Sequence, residues 1–101
     1  AIGNLALNND ESKAVLAQLG ACEALVEALQ QHAAVPRVVE FACGAICILA
    51  LNNDDNRVRL VRAGAPEAVT AARRQHRNKP AVVRRARAAK RGLRRWRFFF
   101  F

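Results

Sequence analysis

The sequence predicts an all-α fold assembled from tandem three-helix repeats. Three observations carry this: a composition that favours helix over sheet, an ungapped internal duplication, and helix-breaking residues that recur at matching places in both copies. The 101 residues are 52% apolar, enough to bury a core, with only 5 Gly, 3 Pro and no Tyr. No run of 18 apolar residues exists, and the richest apolar stretch, residues 41–51, reads as a buried helix, not a membrane span. The opening residues lack the basic and apolar segments of a signal peptide.

The duplication decides the architecture. Ala1-Ile2-Gly3-Asn4-Leu5-Ala6-Leu7-Asn8-Asn9-Asp10 returns as Ala45-Ile46-Cys47-Ile48-Leu49-Ala50-Leu51-Asn52-Asn53-Asp54, an offset of 44 that holds without a gap. Gly20-Ala21 meets Gly64-Ala65, Gln31-His32 meets Gln75-His76, and Pro36 meets Pro80. Close to half of the paired positions are identical, the mark of tandem duplication.

Each copy divides at its punctuation. Asn52-Asn53-Asp54-Asp55 supplies helix-capping and turn residues before a short helix over about 56–63. Gly64 stops that helix, Pro66 sits in the first turn of a second helix reaching about His76, and Pro80 opens a third. The earlier copy gives helices over 11–19, 21–32 and 36–51. Ala21, Ala24, Leu25, Ala28 and Leu29 share one face of its second helix, and its third is apolar nearly all round, so it must be covered all round.

Short helix, glycine, second helix, proline and long third helix, at a period of 44, resemble the armadillo repeat. Asn53-Asp54-Asp55-Asn56-Arg57-Val58-Arg59-Leu60-Val61-Arg62-Ala63-Gly64-Ala65 looks like that family's loop, first helix and glycine turn. Ala1-Ile2-Gly3-Asn4-Leu5-Ala6 is similar to the end of its third helix. The resemblance covers residues 1–93: a partial repeat over 1–10, a repeat over 11–54, and a repeat over 55–93 with a divergent last helix, followed by a basic and aromatic tail over 94–101. It implies a right-handed α-solenoid whose third helices line a concave surface for a partner peptide or protein.

In the importin-alpha-like branch of that family, an asparagine near the end of each third helix grips the bound peptide's backbone, and a tryptophan one turn earlier stacks on its side chains. Asn4 falls on the asparagine position; the next copy has Ile48 there and Gly44 at the tryptophan position, and the last has Gly92 and Ala88. Asn4, Gly44 and Ile48 are therefore the candidate partner-binding positions. The departures argue against an asparagine ladder, and a nuclear-import role is not carried over.

No chemistry-bearing constellation stands out. Ser12 and Thr70 are the only hydroxyl side chains, and none of the five glycines belongs to a phosphate-loop pattern. His32 and His76 repeat with the scaffold at the ends of second helices, which points to capping, since a catalytic histidine has no reason to repeat. Cys22, Cys43 and Cys47 are read as reduced core thiols, not a zinc site. No enzymatic activity, cofactor or metal is expected, and the location expected is cytoplasmic or nuclear.

Charge is unevenly placed. Residues 1–50 carry two basic and five acidic side chains, residues 51–101 fifteen and three, and residues 73–97 twelve basic and no acidic ones. In the last third helix, Val82, Ala86, Ala89, Leu93 and Trp96 keep one narrow apolar stripe amid Arg84, Arg85, Arg87, Lys90, Arg91, Arg94 and Arg95. This reads as a solvated C-terminal cap, as a basic surface for nucleic acid, an anionic membrane or an acidic partner, or as a degenerate copy. The chain is expected to belong to a longer array and to fold poorly alone, with Val15, Leu16, Leu25 and Leu29 partly bare.

Overall fold

A computed structural model describes residues 10–99, with side chains over 11–94. Six helices follow one another: α1 (Asp10–Gln18), α2 (Ala21–Gln31), α3 (Pro36–Ala50), α4 (Asp54–Ala63), α5 (Ala65–Gln75) and α6 (Pro80–Phe99). All regular structure among the described residues is helical. None of these helices is long and apolar enough to cross a membrane. The first residues of α4, α5 and α6 each fall 44 positions after those of α1, α2 and α3.

Local chemistry sets these bounds. Gly20 (φ 90°) and Gly64 (φ 95°) turn the chain through the left-handed region between the first and second helices of each copy, where any side chain would strain the backbone. The Asn53 side chain caps α4 by accepting from the Asn56 N–H at 2.9 Å, and Asp54 and Asp55 sit favourably against the helix dipole. Pro36 and Pro80 open the third helices, where a missing N–H removes no helical bond. α6 runs on through Phe99, past residue 94 where the sequence placed the start of a tail. No proline or glycine after Gly92 interrupts it.

The copies stack in register. α1 packs on α4, α2 on α5, and α3 on α6, the last being the most extensive contact. Asn56 Nδ2 reaches the Lys13 carbonyl at 3.4 Å, Arg59 Nη1 the Ala17 carbonyl at 3.2 Å, and His76 Nε2 the Ala33 carbonyl at 2.7 Å. Those separations of 43, 42 and 43 residues mean that each side chain reaches back almost to its own counterpart. α3 and α6 run in the same direction: Arg85 lies over Gly44, and Gly92 meets Ala50 two turns further on.

The core lies between the copies. Val26, Leu29, Val39, Ile46, Leu49 and Val82 are fully buried, and Val82, Ala86, Ala89 and Leu93 form the buried stripe of α6. Trp96, expected to continue that stripe, has a side chain outside the described residues. Two expectations of the sequence are corrected. Leu25 and Leu29 are not bare but buried, because α2 is flanked by α3, α4 and α5; only Val15 is exposed and Leu16 half-covered. The His76 side chain does not cap its own helix: the ring is buried and bonds to the first copy, while its backbone N–H serves the Arg73 carbonyl. His32 is exposed.

Candidate functional site

The surface formed by the third helices holds most of the candidate residues. Asn4 lies outside the described residues. Gly44 is buried: a Cβ there would stand 2.6 Å from Arg85 Nη1, so the guanidinium occupies the space a side chain would need. Ile48 is half-buried against the core. Neither offers a projecting group, and their part in the surface is its shape.

The cationic residues divide by their angle around α6. Arg84, Arg87, Arg91 and Arg94, spaced three or four residues apart, are exposed on the face opposite the buried stripe. None of the four has an ion pair among the described residues. Arg85 turns toward α3, as its cover over Gly44 shows. Lys90 turns the other way, toward α5, and donates to Thr70 Oγ1 at 2.7 Å, which removes it from the exposed arginine row. The Arg95 side chain lies outside the described residues. Along the exposed row, Arg77, Pro80, Val83, Arg84, Arg87 and Arg91 surround a cationic hollow of about 450 Å³.

Between the C-terminal part of α3 and α6 lies a cleft of about 540 Å³ lined by Cys47, Ala50, Leu51, Ala88, Arg57, Arg91, Gly92 and Arg94. It exists because small residues face each other there. A Cβ on Gly92 would meet Ala50 Cβ at 3.6 Å. Cys47, expected in the core, is half-buried in this wall. Helical periodicity placed it on an apolar face but not beneath a neighbouring side chain.

The other thiols are interior. Burial pushes Cys43 up to about 11, and Cys22 is raised to about 11 by burial first and then by the Glu23 carboxylate. Both are neutral thiols at physiological pH, poor nucleophiles and poor metal ligands. Among the described residues no group of three His, Cys, Asp or Glu side chains converges as a metal would require.

Two buried cations were missed by inspection of the sequence. Lys13, 2% exposed, donates from Nζ to the Leu51 carbonyl at 3.0 Å, holding the end of α3. Its counterpart Arg57, 4% exposed, pairs through Nη1 with Asp54, while its Nε is buried with no partner. The 44-residue offset that relates them was the available signal. No family model, curated protein or solved structure gives a match to this chain.

Proposed function

We propose that this chain is a stretch of a right-handed armadillo-type α-solenoid, and that it acts as a protein-interaction module. Its third helices, α3 and α6, bind an acidic segment of a partner protein. The observation that carries the reading is the in-register stacking: each helix packs on its counterpart, and side chains of the second copy reach back 42 or 43 residues to carbonyls of the first. Units that bury their faces only against neighbouring units are the physical basis of repeat arrays, whose extended surfaces suit peptides and proteins. Arg91 and Arg94, which border α3, and Arg84 and Arg87 further round α6 are exposed and unpaired, and select a negatively charged partner. The reading assigns no reaction or cofactor to the chain, and its reduced thiols suit the cytoplasm or nucleus.

A second reading has its own support. The same arginines form one uninterrupted exposed row on α6, the arrangement that would track phosphates of a nucleic acid or an anionic membrane. Salt separates the two. Binding of acidic, leucine-containing peptides and of a DNA duplex would be measured at about 50 mM and 200 mM salt. The protein-binding reading expects peptide affinity to fall by less than about tenfold and duplex affinity, through the four arginines of the row, by about a hundredfold. Duplex binding with no peptide binding at either salt would favour the second reading and overturn the first.

A further inference from the structure

Lys13 and Arg57 occupy equivalent positions but meet different surroundings. Lys13 serves the Leu51 carbonyl, where α3 has stopped and its last carbonyls have no helical N–H to receive. The counterpart of Leu51 is Arg95, and there α6 has not stopped: it continues to Phe99, so the Arg95 carbonyl falls within reach of the helix's own N–H four residues on. The task that Lys13 performs has been taken from Arg57. What remains is a guanidinium nine-tenths buried, paired only with a largely exposed Asp54, with its Nε unpartnered. Arg57 forms part of the wall of the cleft between α3 and α6.

The rest of that wall has two chemical zones. Cys47, Ala50, Leu51, Ala88 and Gly92 make an apolar floor, and Arg91 and Arg94 stand with Arg57 around it. An apolar floor ringed by three guanidinium groups matches an aliphatic group flanked by carboxylates. Arginine suits this because its planar fork binds a carboxylate through two N–H groups while its stem extends the apolar wall. A phosphate chain alone would leave the floor uncovered.

Resting on the reading of α3 and α6 as a partner-binding surface, we propose that this cleft is the anchor site for an acidic peptide segment. One aliphatic side chain of leucine size enters the floor, and neighbouring Asp or Glu carboxylates pair with Arg91, Arg94 and Arg57.

The test uses the full chain and two fluorescein-labelled peptides, Glu-Glu-Leu-Glu-Glu and Glu-Glu-Gly-Glu-Glu, with fluorescence anisotropy as the readout. The leucine peptide is expected to bind about tenfold more tightly, the effect of burying one aliphatic side chain. Gly92→Leu, which fills the floor, is expected to abolish that difference, whereas Arg84→Glu, outside the cleft, is expected to weaken both peptides equally. Alkylation of Cys47 in the unmodified chain gives a readout independent of any variant: the leucine peptide is expected to slow it several-fold, and the glycine peptide or heparin is not. Equal affinity of the two peptides, or unaltered Cys47 labelling at saturation, would overturn the anchor site while leaving an acidic partner in place. Failure of both peptides to bind at low salt would overturn the anchor site and the acidic partner together.

Discussion

The three cysteines show how far apart residues of one type can be set by position. Cys22 and Cys43 are enclosed and held as neutral thiols, while Cys47, one turn beyond Cys43, opens onto the cleft. Alkylation of the folded protein is therefore expected to label Cys47 rapidly and the other two only on unfolding; mass spectrometry of the labelled peptides checks this. The raised thiols also set an alkaline limit. Below pH 9, where the unfolded thiols begin to ionise, burial of neutral sulfur contributes its full stability; as pH rises from 9 through about 11, the unfolded state loses protons that the folded state keeps, and stability falls. Cys43→Ala is expected to cost on the order of 1 kcal/mol at neutral pH through lost packing, and to reduce the alkaline loss. Urea titrations at pH 8 and pH 10.5 check both parts.

At the scale of elements, the joints between copies matter more than the helices themselves. Asn56, 2% exposed, gives its amide to the Leu49 carbonyl at 2.9 Å and to the Lys13 carbonyl at 3.4 Å, tying α4 to α3 and α1. Asn56→Ala strands the Leu49 carbonyl at the end of α3, while the Lys13 carbonyl keeps its place in the α1 helix, and is expected to cost about 1–3 kcal/mol, measured by denaturant unfolding. Asn53→Ala removes only a partly buried cap and is expected to cost about 1 kcal/mol. On α6, Arg87→Ala is expected to lower retention on heparin more than Lys90→Ala, which removes the same charge, because Lys90 is held by Thr70. Equal losses from the two changes would show that the row on α6 has no special place in polyanion binding.

Helix bounds were legible in the sequence because the residues that set them act locally. Gly20, Gly64, Pro36, Pro80 and Asn53 constrain their own backbone wherever they stand, and duplication at 44 displayed each twice or in a matching context. The cleft was not legible. Ala50, Ala88 and Gly92 carry no chemical signature, and the gap they leave depends on how α6 settles on α3. Gly44 and Ile48 were singled out by family resemblance, but one lies beneath Arg85 and the other is half-buried. The burial of Arg57 was visible only as an arginine standing where the first copy has Lys13. Its freedom follows from the extra length of α6, a distant cause.

For the molecule as a whole, the shared core is expected to join the copies into one cooperative unit. Ile46 is fully buried, and Ile46→Ala is expected to lower stability by about 2–5 kcal/mol. The denaturant dependence of Cys43 labelling and far-ultraviolet circular dichroism are expected to report one coincident transition for this variant and its parent. Separate transitions would mean that the second copy melts independently of the first.

The central claim, that α3 and α6 together form the surface for an acidic partner, is tested most directly by mapping amide chemical shifts during titration with the Glu-Glu-Leu-Glu-Glu peptide. The account expects the largest changes at Cys47, Ala50, Leu51, Ala88 and Gly92, residues from both third helices, with α1 and the turn over residues 76–79 unaffected. Changes confined to that turn, or spread along the outer arginines of α6 with none in α3, would contradict it.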